Sequence, residues 1–283
     1  MGVAVIEDQG LPSSAPWGPH VYVPAAKQAW HVLTEPPSST AWLERMRVAA
    51  KGVQSLRLGV AGSLEILNKP EIIKALDELR CAVLPVQETD DGYRSLGLRA
   101  SIADVIYEHR LVLESELVKL LLDRCLDRAG RSKGSYAKGA TLELLVALML
   151  SQVTGFEVTD TNILSANQEI DVHVTNRNSA GPLGRGQYVL AEAKNWKNPV
   201  PRKEYDAFAK KMRTRHGMAK LGVMVTTNTF EAGVYVEAIR DSQYDDVIVL
   251  LDKTSLPKLW TDFPDVTRGL EDAIKRAVYD HEA

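Results

Sequence analysis

The fold of this chain is decided by two stretches, Glu169-Ile170-Asp171-Val172-His173-Val174 and Tyr188-Val189-Leu190-Ala191-Glu192-Ala193-Lys194-Asn195-Trp196, which are joined by a glycine-rich loop. Both stretches alternate β-branched or apolar residues with polar ones, and this alternation is typical of strands. Successive side chains on a strand point to opposite faces, so Asp171 and His173 share one face of their strand and Glu192 and Lys194 share one face of theirs. If the strands pair as a hairpin in the right register, two carboxylates and one ammonium group meet at one place.

These residue types suit a divalent metal held against a phosphate. Mg²⁺ takes oxygen ligands and is usually bound by one or two carboxylates together with substrate phosphate and water. Asp171 and Glu192 are the candidate carboxylates, and the carbonyl of Ala193 is a candidate third oxygen. Lys194 lies beside two acids, so we expect it to stay protonated and to stabilise charge in the transition state rather than to act as a base.

The order of motifs resembles a known family. A helix opens with Lys138-Gly139-Ala140-Thr141-Leu142-Glu143, and a strand follows at residues 154–158. Asp171, the triplet Glu192-Ala193-Lys194, a basic helix and an apolar strand then come in turn. This order, over residues 135–235, is similar to that of the PD-(D/E)xK restriction-endonuclease-like nucleases, and in particular to their Mrr-like branch.

The resemblance implies a fold, a reaction and a set of roles. The fold is a mixed central sheet flanked by helices. Glu143, Asp171 and Glu192 are expected to hold Mg²⁺, with Mn²⁺ as a substitute, and Lys194 to be the catalytic lysine. The implied function is a Mg²⁺-dependent deoxyribonuclease in a prokaryotic anti-phage defence or restriction system. Such an enzyme is expected to work as a homodimer or with a partner protein of the defence system.

Other interpretations stay open. Glu143 could lie on the exposed stripe of its helix, and Asp171 and Glu192 could form an ordinary solvated face with Lys194 as their salt-bridge partner. His173 is more often a structural residue than a ligand. Trp196 could stack on a base, but packing under the following helix is the favoured interpretation. As a function, a DNA repair or junction-resolving nuclease is one alternative, and a catalytically silent scaffold that binds nucleic acid is another.

Charge is distributed unevenly along the chain. The 283 residues carry a formal net charge of −3, which argues against a protein that coats nucleic acid. Residues 124–220, however, contain 16 Lys and Arg against 9 Asp and Glu. A basic excess around a site is the electrostatic footprint expected of a protein that binds a polyanion. The helix predicted over residues 199–216 carries the candidate DNA-contacting residues Arg202, Lys203, Lys210 and Lys211.

The sequence predicts two regions. Residues 1–130 are expected to form a mainly helical recognition or regulatory region, with helices near 41–51, 69–80 and 102–127 and a short strand at 21–23. Residues 131–283 are expected to form the nuclease domain. No apolar run approaches the roughly 20 residues of a membrane span, and neither Cys81 nor Cys125 lies in a metal-ligand pattern. With no secretory signal at the N-terminus, a cytoplasmic location is expected.

Overall fold

The computed structural model describes residues 20–23, 28–33, 57–89, 92–165 and 168–279. The chain forms two compact units, Met1–Leu111 and Val112–Ala283. The helix expected near residues 41–51 lies outside the described residues.

The first unit is built around a five-stranded sheet. Its elements are β1 (His20–Val23), β2 (Gln28–Leu33), β3 (Arg57–Ser63), α1 (Leu64–Leu67), α2 (Pro70–Leu79), β4 (Ala82–Thr89), β5 (Gly92–Ser95) and α3 (Ile102–Glu108). The strands lie in the order β1-β2-β3-β4-β5. Strands β2, β3 and β4 run parallel, and the two edge strands pair antiparallel to their neighbours.

The prediction of a mainly helical N-terminal region is therefore wrong for the described residues. The short strand β1 and the helix α2 were predicted, but β2 to β5 were not. The strand signal of β3 and β4 is weak because Gly59 and Gly62 interrupt β3 and Pro85 lies within β4, and both residue types are disfavoured in strand interiors. The long helix predicted over 102–127 is interrupted, because α3 ends at Glu108 and the next helix begins at Ser115.

The second unit is a mixed sheet flanked by helices, as the sequence predicts. Its elements are α4 (Ser115–Arg131), α5 (Ser135–Ser151), β6 (Phe156–Ser165), β7 (Gln168–Asn176), β8 (Tyr188–Lys194), α6 (Arg202–Arg213), β9 (Ala219–Thr226), α7 (Ala232–Ser242), β10 (Val247–Leu251), α8 (Lys258–Thr261) and α9 (Val266–Tyr279). The strands lie in the order β10-β9-β8-β7-β6. Strands β10, β9 and β8 are parallel, and β7 and β6 continue the sheet antiparallel.

Helix α6 packs closely on one face of this sheet. Its residues Phe208 and Met212 form a buried cluster with Leu190 of β8 and Met224 of β9. At Gly222 of β9, an added Cβ would collide with the sulfur of Met212 and lie 2.8 Å from the ring of Phe208. The glycine therefore allows α6 to approach β8 and β9 closely, which brings polar residues at the edge of α6 near the end of β8.

Helix α5 lies against the sheet along β6, β7 and β8 and also contacts α4. Its residues from Leu145 to Leu150 are almost completely buried, as expected of a helix that is apolar on all sides. None of its residues belongs to the cluster formed with α6. Helix α4 belongs to the second compact unit, where Asp123 accepts a hydrogen bond from the indole N–H of Trp260 at 2.7 Å. The role predicted for residues 1–130 stays a prediction.

Two further properties concern the described residues as a whole. No helix among them combines the length and the apolar character that crossing a membrane requires. Cys81 and Cys125 are both buried thiols without a disulfide, and burial raises the pKa of Cys81 to about 12.

Candidate functional site

Asp171 and Glu192 come together where β7 and β8 stop pairing. The antiparallel register pairs Val172 with Ala191, so the next position along each strand sets Asp171 opposite Glu192, and opposed side chains point to the same face. Both are buried, with 8% of Asp171 and 5% of Glu192 exposed. The backbone N–H of Ala193 donates to Asp171 Oδ2 at 2.7 Å, which fixes the orientation of that carboxylate.

The carboxylate of Asp171 lies in an unfavourable electrostatic environment. Burial raises its pKa most, the neighbouring charge of Glu192 raises it further, the Ala193 N–H opposes this, and Glu143 raises it again, to about 7. Glu143 lies on α5 and is half-buried. Its effect on Asp171 means that this helix carboxylate is within electrostatic reach of the two strand acids. The helix acid predicted to join the site thus contributes to the same local field.

Lys194 is bound to the acids of the site. Its Nζ lies 2.8 Å from Glu192 Oε1 and 3.6 Å from Glu204 Oε2, and 18% of its side chain is exposed. Burial lowers its pKa, but Glu192, Asp171 and Glu204 together raise it above the usual value. Lys194 therefore keeps its proton near neutral pH, as the sequence argument expects.

A second lysine, Lys211, also binds Glu192. The Nζ of Lys211 donates to Glu192 Oε2 at 2.8 Å, and only 16% of its side chain is exposed. The sequence grouped this residue with the DNA-contacting lysines and missed its contact with Glu192. The sequence does contain a signal for the position of Lys211. Glu204 and Lys211 are seven residues apart, so they share one side of α6, next to the buried Phe208.

The other predicted DNA-contacting residues lie elsewhere on α6. Lys203 and Lys210 are exposed and share the side of the helix that faces away from the sheet. Arg202 is paired with Glu237 at 2.7 Å and with Asp206 at 3.6 Å. The structure thus separates the four basic residues into an exposed pair, an arginine in a salt-bridge network, and Lys211 in the site.

Asn195 ties the end of β8 to two helices. Its side-chain NH₂ donates to the carbonyl of Ala129 at 3.0 Å and to that of Lys138 at 2.9 Å. Its side-chain oxygen accepts the hydroxyl proton of Thr227 at 2.6 Å. These bonds connect the strand that carries Glu192 and Lys194 to the helix that carries Glu143. The sequence did not single out this residue.

His173 and Trp196 are each two positions along the chain from a residue of the site. His173 Nδ1 is hydrogen-bonded to the hydroxyl of Thr159 at 2.8 Å, and its ring lies 4.8 Å from that of Tyr188, which agrees with the structural role expected for it. Trp196 is 40% exposed, and Lys194 Nζ lies 5.7 Å from its ring centroid. Trp196 is thus not buried under the following helix, contrary to the favoured interpretation.

The acidic residues of the site are of the chemical type that binds a divalent metal. Carboxylate oxygens are the ligands that Mg²⁺ prefers, and a bound cation would relieve the crowding that raises the pKa of Asp171. By the type of their side chains, Asp171, Glu192 and Glu143 therefore fit a divalent metal. Within the ranges that the structure describes, however, no group of three or more His, Cys, Asp or Glu is arranged so that it could hold a metal ion. In this conformation Glu192 binds lysine ammonium groups instead.

Part of the chain matches the model of a known protein family. Residues 136–260 match the family model Mrr_cat, which is described as a restriction endonuclease. The matched segment contains Glu143, Asp171, Glu192 and Lys194, and the resemblance to the Mrr-like branch of the restriction-endonuclease-like superfamily is thereby confirmed for this part of the chain.

Among solved structures, the crystal structure of protein VC1899 from Vibrio cholerae is similar to this chain at 13% identity. The similarity covers 86% of this chain and 83% of that one, with a TM-score of 0.30. The comparison with curated proteins finds no match.

Proposed function

We propose that this protein is a metal-dependent endonuclease that hydrolyses phosphodiester bonds of DNA. The observation that carries the proposal is the meeting of Asp171, Glu192 and Lys194 where β7 and β8 stop pairing, with Glu143 in electrostatic reach. This meeting occurs inside the segment that matches the restriction-endonuclease model. A surface salt bridge alone would not leave two buried carboxylates facing each other, because like charges destabilise one another.

Each residue has a role in this reaction. Asp171, Glu192 and Glu143 would hold Mg²⁺, or Mn²⁺ in its place. The metal would supply a Lewis acid for water and phosphate. The Ala193 N–H keeps one oxygen of Asp171 fixed, so that the carboxylate does not need to reorient during the reaction. Lys194 remains protonated and would stabilise the negative charge that develops on the phosphate.

The substrate is expected to lie along the exposed side of α6. Lys203 and Lys210 are exposed there, and lysines on such a face contact phosphates without reading the base sequence. A chain with one site would need a second copy to cut both strands of a duplex. We therefore propose a homodimer, or a complex with a partner protein, acting in anti-phage defence or restriction in the cytoplasm.

Cleavage of plasmid and branched DNA in Mg²⁺, Mn²⁺ or EDTA tests the proposal. Asp171→Ala and Lys194→Ala should each lower the cleavage rate by about 10²-fold or more. Asp262→Ala and Lys275→Ala remove the same charges from exposed positions of the second unit and should retain the wild-type rate. Cleavage confined to branched DNA would favour a repair or junction-resolving enzyme. If no metal-dependent cleavage occurs with either substrate and with partners supplied, the silent scaffold is the better interpretation.

A further inference from the structure

Both carboxylate oxygens of Glu192 are bound to ammonium groups that come from different elements. Lys194, on the same strand, lies 2.8 Å from Oε1, and Lys211, on α6, lies 2.8 Å from Oε2. All three side chains are largely buried. Charge-assisted hydrogen bonds of this kind are stronger and more directional than neutral ones, so Glu192 is held from both sides.

The geometry of α6 explains why Lys211, and not its neighbour, reaches the site. Two helical turns separate Glu204 from Lys211, so both lie on the same side of α6. This side is next to the buried residues Phe208 and Met212. Lys210 is rotated by about 100° from Lys211 and is exposed. Helix α6 therefore supplies one carboxylate, Glu204, to Lys194 and one ammonium group, Lys211, to Glu192.

We propose that Lys211 is a positioning residue of this site, which orients Glu192 and sets the affinity of the site for a divalent cation. The proposal rests on the proposed nuclease function for its effect on turnover, but its effects on Glu192 and on cation affinity do not depend on DNA. Lys211 acts through Glu192 and is not assigned to the phosphate-contacting surface.

The expected effect of Lys211 on cation affinity follows from the charges around Glu192. Asp171, Glu192, Glu143 and Glu204 carry up to four negative charges, and Lys194 and Lys211 carry two positive charges. A divalent cation at Glu192 would lie close to both ammonium groups and would be repelled by them. Removing the charge of Lys211 removes part of this repulsion, so the cation binds more tightly. Glu192 then loses one of its two fixed contacts, and its orientation becomes less defined.

Calorimetric binding of Mn²⁺ to the full chain without DNA is the primary test. Lys211→Met should tighten Mn²⁺ binding by about 10-fold. Lys211→Arg keeps the charge and should stay within about twofold of the wild type. Lys210→Met is the matched control, because it removes the same charge from the adjacent, exposed position, and it should leave Mn²⁺ affinity unchanged. Weaker or unchanged binding in Lys211→Met would overturn the proposal, because loss of a merely structural contact does not strengthen a metal site.

A double-mutant cycle provides a measurement that needs neither metal nor DNA. In EDTA, Lys211→Met should lower the urea midpoint of the wild type, because it leaves the Glu192 carboxylate beside other acids with one contact fewer. The same substitution in a Glu192→Gln background should lower the midpoint much less. An equal loss in both backgrounds would mean that Lys211 does not act through Glu192, and the proposal would then be wrong even if the wild type binds no Mn²⁺.

Cleavage kinetics separate this proposal from the nuclease function itself. Lys211→Met should lower kcat by about 10-fold or more with little change in KM, whereas Lys211→Arg should restore most of kcat. A loss confined to KM would place Lys211 among the phosphate-contacting lysines and overturn the proposal. If Lys211→Met binds Mn²⁺ more tightly but neither it nor the wild type cleaves DNA, the nuclease function is wrong and the positioning of Glu192 by Lys211 stands.

Discussion

Asn195 is the residue whose replacement should affect the site most without touching a carboxylate or a lysine. Its side chain makes three hydrogen bonds, two as a donor to the carbonyls of Ala129 and Lys138 and one as an acceptor from Thr227. The two carbonyls belong to the end of α4 and the first turns of α5, the helix of Glu143. Asn195 therefore holds the strand and helix parts of the site together.

The size of the effect follows from these bonds. Each net hydrogen bond is worth about 1 kcal/mol, and because the residue is half-buried, water can replace part of what is lost. Asn195→Ala should lower the free energy of unfolding by about 2 kcal/mol. Asn195→Asp should lower it by about 3 to 4 kcal/mol, because a carboxylate would then face two carbonyl oxygens instead of donating to them. Misplacement of Glu143 relative to Lys194 should slow cleavage by about 10²-fold in both variants.

Urea unfolding measures the loss of stability, and a DNA cleavage assay measures the loss of rate. Amide hydrogen exchange of the first turns of α5 reports whether this helix has loosened. Asn178→Ala is the control. It removes bonds to Thr154 and Asn176 and should lower stability without slowing cleavage. The reasoning is refuted if Asn195→Asp is as stable as Asn195→Ala, or if exchange in the first turns of α5 is the same in the variants as in the wild type.

Three further predictions concern packing and charge in the same unit. Gly222→Ala should lower the free energy of unfolding, measured with urea, by about 1 to 3 kcal/mol, because the added methyl group lies 2.8 Å from Phe208. A second change, Met212→Ala, should recover part of this loss. If the losses of the two changes instead add, the close packing of α6 on the sheet is contradicted. In EDTA, the Asp171→Asn variant should have a higher free energy of unfolding than the wild type, by up to roughly 4 kcal/mol above pH 7. The pKa of Asp171 in the folded protein is raised to about 7 from the reference value of 3.8. The free-energy cost of ionising Asp171 in the folded wild type is therefore absent below pH 4 and grows as the pH rises to 7. A stability difference between variant and wild type that stays the same from pH 4 to pH 8 would contradict this. The Asp252→Asn variant should instead be less stable than the wild type at neutral pH. Burial raises the pKa of Asp252, but bonds from Ser255, Thr254 and Tyr235 outweigh it and lower the pKa, so the wild-type advantage exists at neutral pH and disappears as acid protonates the carboxylate, which urea midpoints at pH 3 and pH 7 would detect.

The sequence alone predicted the fold class of the second unit. The alternation around Asp171 and Glu192, the apolar helix that carries Glu143 and the order of elements predicted the mixed sheet and its restriction-endonuclease-like class. These are local signals, since strand alternation and helix periodicity are written in neighbouring residues. Strands β3 and β4 of the first unit lacked such signals, because glycine interrupts β3 and proline interrupts β4, and pairing with neighbouring strands stabilises them.

The partners of Glu192 were decided by the tertiary structure. Lys211 and Lys210 are adjacent in the sequence and chemically identical. Helical spacing places Lys211 beside the buried side of α6, but it does not reveal that this lysine binds Glu192. The difference arises because Gly222 lets α6 lie close to β8 and β9, and because the rotation of the helix directs one lysine toward Glu192 and the other toward solvent. The bonds from Asn195 to two helices likewise join residues 57 and 66 positions apart. Long-range contacts of this kind depend on how the elements pack, and only the folded chain determines them.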